Sequence, residues 1–218
     1  MTLRPAASKI VGGIYVIVDP DHCGGRDIFM IAEATASAGA AVIQLRHKQA
    51  PEAVITDEAT TIAQICRAND TLFIVNDSPF IAAEVGADGV HVGQGDLPVA
   101  ECRIILQPHQ LVGKSNALID EAITSFNEGA DYIAVGSIFT TTTKSDTRPA
   151  GLATLHAVVD CVTAPIVAIG GIKASNIAAV AQAGADSACV ATAVTMAQDP
   201  AAATRELVER FGEARAVT

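Results

Sequence analysis

Short apolar runs alternate along the chain with longer stretches that are apolar on one face only. Each run is four or five residues long and rich in small and branched aliphatic residues, which suits strands buried on both faces of a parallel sheet. The pattern predicts eight strands: Ile14–Val18, Val42–Arg46, Leu72–Val75, Gly89–Val92, Leu111–Lys114, Tyr132–Val135, Pro165–Ile169 and Ser187–Ala191.

The stretches between these runs have the apolar spacing of amphipathic helices. They begin at Pro, Asp or Ser, residues that are favoured at the N-cap or first turn of a helix. Clear examples are Ile28–Ser37, Pro51–Arg67, Pro98–Leu106 and Pro200–Phe211. Strand and helix therefore alternate, which is typical of an α/β protein with a parallel sheet.

A Gly-Ala-Asp triplet, once Gly-Ala-Ala, precedes every second run at Gly39, Gly86, Gly129 and Gly184. Glycine can adopt the left-handed conformation that ends a helix, so these are four predicted helix-to-strand turns. Each interval has room for two βα units. The repeat predicts a single (β/α)8 TIM-type barrel, one domain over residues 1–218 with a core from about residue 13 to 212. An open doubly wound sheet shares the alternation and is the alternative.

Composition and charge narrow the functional classes. Of the 218 residues, 50% are hydrophobic and 4% aromatic, and the formal net charge is -10. Such an acidic chain is not expected to bind nucleic acid, which requires clustered Lys and Arg. The five cysteines form no CxxC pair, and no apolar stretch suits a signal peptide or a membrane span. We therefore expect a cytoplasmic enzyme that does not insert into membranes; the oligomeric state is open, and a homo-oligomer is one possibility.

Polar residues collect where the predicted strands end, the edge at which such barrels bind ligands. In the second strand, Gln44, Arg46 and Lys48 share one face because side chains alternate along a strand. Two cations on that face suit a phosphate or diphosphate. The alternative is that Arg46 and Lys48 extend to solvent or pair with carboxylates at the rim.

Two carboxylates follow neighbouring strands. Asn76 and Asp77 follow the third strand, and Asp96 follows the fourth. Together, Asp77 and Asp96 can share a hard cation such as magnesium, which needs only one or two carboxylates when phosphate and water complete its shell. Asp77 taken alone is equally well explained as a helix cap. His91, inside the fourth strand, is more typical of a hydrogen-bonded core residue than of a ligand.

The remaining strand ends carry hydroxyl groups and glycines. Ser115 follows the fifth strand, and Thr141 to Lys144 form a polar loop after the sixth, which a solvated loop also explains. Gly170-Gly171 and Ala191-Thr192 follow the last two strands, where such barrels usually hold phosphate.

Five segments in this order resemble the thiamine-phosphate synthase family, and the resemblance extends from Tyr15 to about Thr195. They are Gln44-Leu45-Arg46-His47-Lys48, Asn76-Asp77, Gly89 to Asp96, Thr141-Thr142-Thr143-Lys144 and Ala168 to Ile172.

The resemblance implies a transferase that joins hydroxymethylpyrimidine diphosphate to a thiazole phosphate with Mg2+, releasing pyrophosphate. It implies pyrimidine diphosphate binding by Gln44, Leu45, Arg46, His47, Lys48, Asn76, Ser115 and Lys144, with Arg46, Lys48, Ser115 and Lys144 catalytic. Asp77 and Asp96 would hold the metal, and Thr141, Thr142, Thr143, Gly171, Ala191 and Thr192 the thiazole phosphate.

Two departures from the family pattern stand out. Ala117 replaces a common histidine two residues beyond the serine, and Ser137 and Thr140 replace common prolines. A thiazole tautomerase of similar fold is one alternative, and a non-catalytic paralogue that binds thiamine intermediates is another. The tautomerase need not retain the diphosphate and magnesium residues, whereas this chain keeps Lys48, Asp77, Asp96 and Lys144. The paralogue would be expected to lose the catalytic cations while keeping the pocket.

Overall fold

Eight parallel strands close into a barrel in which β1 pairs with both β2 and β8. The computed structural model describes residues 7, 10, 12–141 and 148–217. The strands are β1 Ile14–Val18, β2 Val42–Leu45, β3 Leu72–Asn76, β4 Gly89–Val92, β5 Leu111–Asn116, β6 Tyr132–Gly136, β7 Ile166–Ile169 and β8 Ser187–Val190. The predicted barrel is confirmed, and the open sheet is wrong.

Helices connect the strands and form the outer layer. They are α1 Ile28–Ser37, α2 Glu52–Ala68, α3 Pro79–Glu84, α4 Val99–Ile105, α5 Ile119–Asn127, α6 Gly151–Cys161, α7 Ile177–Gln182, α8 Thr192–Thr195 and α9 Pro200–Ala216. The side chains of Asp27 and Asp199 cap α1 and α9 by accepting bonds from first-turn amides. Within the described ranges, no helix has both the length and the apolar character needed to cross a bilayer.

Alternation along the strands divides the apolar residues into two layers. One layer lies between strands and helices and includes Val16, Leu45 and Val75. The other fills the barrel interior and includes Tyr15 and Tyr132. Because both faces of every strand are covered, the runs are apolar throughout, and the mouth of the barrel is where polar residues can reach a ligand.

The Gly-Ala-Asp triplets form the lower rim of the barrel, which we define as the amino ends of the strands. Gly39, Gly86, Gly129 and Gly184 all have positive φ, as predicted. The triplet carboxylates have a further role, because each accepts a backbone N–H from the preceding strand at 2.8 or 2.9 Å. The pairs are Asp88 with Phe73, Asp131 with Val112 and Asp186 with Ile166.

Candidate functional site

A cavity of about 370 Å3 lies at the upper rim, the carboxyl ends of the strands. Its walls come from the ends of β1, β2 and β4 to β8 and from the loops that follow them. Of the expected site residues, Arg46, Ser115, Thr141, Gly171, Ala191 and Thr192 line it. A cavity of this size at this end of the barrel is the expected position for small-molecule chemistry.

Arg46 follows β2 and is held by a residue that the sequence reasoning missed. Its guanidinium pairs with the carboxylate of Asp19, which follows β1 and is 1% exposed. Both residues line the cavity. The position of Asp19, directly after an apolar run at the same rim as Arg46, was the signal available in the sequence. A buried carboxylate fixes the direction of the guanidinium without covering its remaining donors.

Lys48 and Asp77 do not line this cavity. They form an ion pair at the same rim of the barrel, with Lys48 Nζ 2.9 Å from Asp77 Oδ2. Asp77 has φ of 63°, a left-handed conformation that is uncommon outside glycine and often marks functional positions. Ser78, not Asp77, supplies the N-cap of α3 through its hydroxyl. The helix-cap explanation of Asp77 is therefore wrong.

Asp77 and Asp96 lie close enough to interact. Burial raises the pKa of Asp77, the Lys48 ammonium opposes this, and the Asp96 carboxylate raises it further. Asp96 Oδ2 accepts from Gly93 N at 2.7 Å, which fixes its orientation. A carboxylate whose pKa is raised by a second carboxylate is stabilised in its charged form by a cation between the two.

This donor set fits magnesium. Among the described residues, no group of three or more His, Cys, Asp or Glu side chains forms a metal cluster. Mg2+ does not need such a cluster, since it keeps several waters and is completed by substrate phosphate. Asp77 and Asp96 therefore fit a metal that arrives with a diphosphate.

The other residues of the second-strand segment are divided between interior and exterior. Gln44 points into the barrel, where its Nε2 donates to the Tyr15 hydroxyl at 2.8 Å. Leu45 packs in the layer under the helices, and His47 Nδ1 lies 2.8 Å from Glu58 Oε2 on α2. Asn76 ends β3 beside His91 of β4. Within the segment from Gln44 to Lys48, Arg46 and Lys48 are the two cations at the upper rim.

Ser115 lies inside β5. The shorter apolar run had predicted that it follows the strand. Its side chain points inward, and its Oγ is 2.8 Å from His91 Nε2. The chain continues through His91 Nδ1 to the Tyr132 hydroxyl at 3.0 Å and from there to the Tyr15 hydroxyl at 3.1 Å. His91 is a buried, hydrogen-bonded residue, as its position in the strand predicted.

Asn116 and Ala117 occupy the segment where the family often has histidine. The Asn116 Oδ1 accepts from Ser125 and from Gln94, and Gln94 Nε2 also donates to the Ser115 carbonyl at 2.7 Å. Ala117 is buried at the cavity wall.

The opposite wall of the cavity is made of backbone. Gly171 has φ of 65°, and a Cβ there would lie 2.5 Å from the Thr140 carbonyl oxygen. Thr192 begins α8 with Ala191 as its N-cap. First-turn amides have no partner inside a helix, so this wall suits anionic oxygens.

Arg148, a cavity residue that the sequence reasoning missed, follows the loop after β6. Its guanidinium binds both oxygens of Glu121 at 2.7 and 3.0 Å. The predicted residues Thr142, Thr143 and Lys144 lie outside the described residues. In the described part of the chain, each of these three cations has a carboxylate partner: Asp19 for Arg46, Asp77 for Lys48 and Glu121 for Arg148.

Taken together, the barrel and its mouth define an enzyme class: a TIM-barrel enzyme that acts on small phosphorylated substrates. The family model described as thiamine monophosphate synthase matches residues 14–194, so the chain belongs to this family. Its members form thiamine phosphate, and this chain is a transferase of that kind.

Individual relatives support the assignment. The chain is 42% identical to a thiamine-phosphate synthase of Laribacter hongkongensis, over 89% of this chain and 92% of the relative. It is 43% identical to one of Methanoculleus marisnigri, over 93% and 97% of the two chains. The solved thiamine phosphate pyrophosphorylase of Pyrococcus furiosus superposes with a TM-score of 0.88 at 35% identity, covering 95% of this chain and 98% of that one.

Proposed function

We propose that the cavity holds both substrates side by side and divides their anionic groups between its two walls. The pyrimidine diphosphate lies along Gln44, Arg46, Lys48, Asn76 and Ser115, with the backbone of Leu45 and His47 and with Lys144. The thiazole phosphate lies against Thr141 to Thr143, Gly171, Ala191 and Thr192. The observation that carries this proposal is that one cavity is lined both by the cation Arg46 and by the Gly170-Gly171 segment, with the Lys48–Asp77 pair at the same rim of the barrel.

The reaction is a substitution at the pyrimidine methylene carbon. The carbon–oxygen bond to the diphosphate breaks, with its electron pair leaving on pyrophosphate, and the thiazole nitrogen lone pair forms the new carbon–nitrogen bond. Negative charge develops on the departing oxygen, so positive groups held in advance lower the barrier. No nucleophilic side chain is required.

The residues of this chain contribute charge and orientation. Asp19 holds the Arg46 guanidinium at the cavity, and Lys48 pairs with the Asp77 carboxylate at the same rim. We infer that Lys48 moves from Asp77 to the diphosphate when substrate binds. Asp77 and Asp96 would hold magnesium, which when bound neutralises charge on the departing pyrophosphate.

The same features support a cytoplasmic enzyme that does not bind nucleic acid. All five cysteines are free, and four of them are buried. A net charge of -10 leaves no excess of cations for a phosphate backbone.

The test is a reaction with purified protein, both phosphorylated precursors and magnesium. We expect pyrophosphate and thiamine phosphate to appear in equal amounts. The same assay with carboxylated and with uncarboxylated thiazole phosphate identifies the preferred thiazole substrate. Binding of thiazole phosphate without any product would contradict the proposal and favour a tautomerase or a binding protein.

A further inference from the structure

A line of polar side chains crosses the apolar interior of the barrel and ends at the cavity. It runs from Gln44 through Tyr15, Tyr132 and His91 to Ser115, with successive distances of 2.8, 3.1, 3.0 and 2.8 Å. The first four are buried, and only Ser115 lines the cavity. The substitution proposed above uses the two ends of this line and leaves its three central residues without a role.

The direction of the hydrogen bonds follows from proton counting. Gln44 Nε2 donates to the Tyr15 oxygen, so the single hydroxyl proton of Tyr15 is available for Tyr132. The Tyr132 oxygen accepts this hydrogen bond, and the Tyr132 hydroxyl in turn donates a hydrogen bond to His91 Nδ1. A histidine that accepts at Nδ1 carries its proton on Nε2, and this nitrogen then donates to Ser115.

The rings in this line are fixed by packing. The rings of His91 and Tyr132 stack with centroids 5.6 Å apart and planes 27° apart. A Cβ on Gly113 would lie 1.9 Å from Tyr132 Cζ, so the glycine is what leaves room for the ring. Burial raises the pKa of Tyr15 and of Tyr132, so both remain neutral hydroxyls that each have one proton to donate.

We propose that His91 is a positioning residue: held as the Nε2–H tautomer by Tyr132 and Tyr15, it makes Ser115 a hydrogen-bond donor toward the cavity. Ser115 Oγ accepts from His91, so its own proton is directed at the ligand. This inference rests on the proposed function and identifies the acceptor as an atom of the diphosphate substrate. A donor there gains strength as negative charge grows on the departing group, whereas an acceptor would oppose it.

The direction of all these hydrogen bonds depends on the orientation of the Gln44 amide. A Gln44 carbonyl oxygen facing Tyr15 would reverse every bond in the line, since amide oxygen and nitrogen differ only in donor and acceptor character. His91 would then carry its proton on Nδ1, and Ser115 would donate to His91 and present lone pairs to the cavity. The two cases differ in the tautomer of one histidine.

The direct measurement is the tautomer of His91 by nitrogen NMR on 15N-histidine-labelled, substrate-free protein. His91→Asn assigns the signal among the five histidines of the chain. We expect a protonated Nε2 and an unprotonated Nδ1, a change in these signals in Tyr132→Phe, and no change in His156→Gln, whose histidine is exposed on α6. A protonated Nδ1 in the wild type would overturn the proposal.

Kinetics test the consequence for Ser115. We expect Tyr132→Phe and Ser115→Ala each to lower kcat by about tenfold to a hundredfold, with KM for the pyrimidine diphosphate changed by less than about threefold. The double variant should lose little more than Ser115→Ala alone, because both changes remove one interaction. Additive losses, or a change confined to KM, would contradict a positioning role.

Two further controls keep the outcomes distinct. If Tyr132→Phe fails to fold, Tyr15→Phe replaces it, because it removes the other hydroxyl that sets the direction of the line. The expected loss in kcat is then smaller, since Tyr132 can still donate to His91. If the wild-type protein itself forms no thiamine phosphate, the proposed function fails, while the NMR experiment still decides the tautomer.

Discussion

Carboxylates stand at both ends of this barrel, but they have different partners. At the lower rim, Asp88, Asp131 and Asp186 accept backbone amides of neighbouring strands. At the upper rim, Asp19 and Asp77 pair with Arg46 and Lys48. The lower-rim carboxylates bind main-chain amides of the barrel, and two of them, Asp131 and Asp186, also pair with Arg103 and Arg215. The upper-rim carboxylates hold cations at the end of the barrel that carries the cavity. Whether an acid precedes or follows a strand therefore indicates its role.

The largest expected effect is at the upper rim. Lys48→Ala should lower kcat by about a thousandfold, because one preorganised cation opposite developing charge contributes this much. The pair with Asp77 is partly exposed, so the free energy of unfolding should change by less than about 1 kcal/mol. Steady-state kinetics and urea unfolding measure the two quantities.

Arg210→Ala is the matched control for Lys48→Ala, since it removes an exposed cation on α9 that pairs with Glu206. It should leave both kcat and stability near wild type. Wild-type turnover in Lys48→Ala would show that Lys48 has no role in the reaction. It would also contradict the functional role assigned to the upper-rim ion pairs.

At the lower rim we expect a loss of stability without a loss of turnover. Asp131→Ala removes the acceptor of the buried Val112 amide and the carboxylate partner of Arg103, whose charge then has only carbonyl acceptors. We expect a loss of about 3 kcal/mol in the free energy of unfolding, and unchanged kcat below the unfolding temperature. Asp160→Ala, at an exposed site on α6, is the control. Lost turnover in a folded Asp131→Ala protein would mean that the rims are coupled.

A change in the barrel interior should affect both properties. Gly113→Ala places a methyl group where the Tyr132 ring lies, and overpacking of this kind costs about 1–3 kcal/mol. Because the displaced ring contacts His91, we also expect kcat to fall. Thermal unfolding and steady-state kinetics on one preparation measure both effects. Reduced stability with unchanged kcat would show that the position of the Tyr132 ring does not affect the reaction.

The smallest expected effect concerns the pH dependence of stability. Burial favours a raised pKa for Glu121, but the Arg148 bond and the amides of Ala117 and Leu118 outweigh it and lower the pKa. A lowered pKa in the folded state stabilises the protein above the unfolded value, and this stability is lost as the pH falls through the folded pKa.

Glu121→Gln should therefore unfold with a weaker dependence on pH on the acid side, measured by urea unfolding across a pH series. Glu206→Gln, in an exposed pair on α9, is the control and should follow the wild-type curve. Identical acid limbs for wild type and Glu121→Gln would show that the Arg148 contact does not persist in solution.

The periodicity of the sequence was sufficient for the fold. Alternating apolar runs and the repeated Gly-Ala-Asp triplets determine strand number and order, because each triplet ends a helix through a glycine with positive φ. Strand ends were less well defined. The polar residues Ser115 and Asn116 continue β5 beyond its apolar run, because main-chain pairing with β6 does not depend on side-chain polarity.

The candidate site was predictable only in part. Position after a strand identified Arg46, Lys48, Asp77 and Asp96 as upper-rim residues. Pairings between distant residues were not predictable, because periodicity gives the face on which a side chain lies and not the group that it meets. The Tyr15–Tyr132 contact spans 117 positions, and Arg148 reaches Glu121 across a loop and a strand.

The lower-rim carboxylates divide the barrel into quarters. Each carboxylate precedes an even-numbered strand and accepts a hydrogen bond from the odd-numbered strand before it, which ties β3 to β4, β5 to β6 and β7 to β8. Ala41 stands at the equivalent position before β2, so β1 and β2 lack this tie. New chain termini placed between quarters would leave all three ties within continuous chain. A circular permutant opened between β2 and β3 should therefore tolerate the cut better than one opened between β3 and β4.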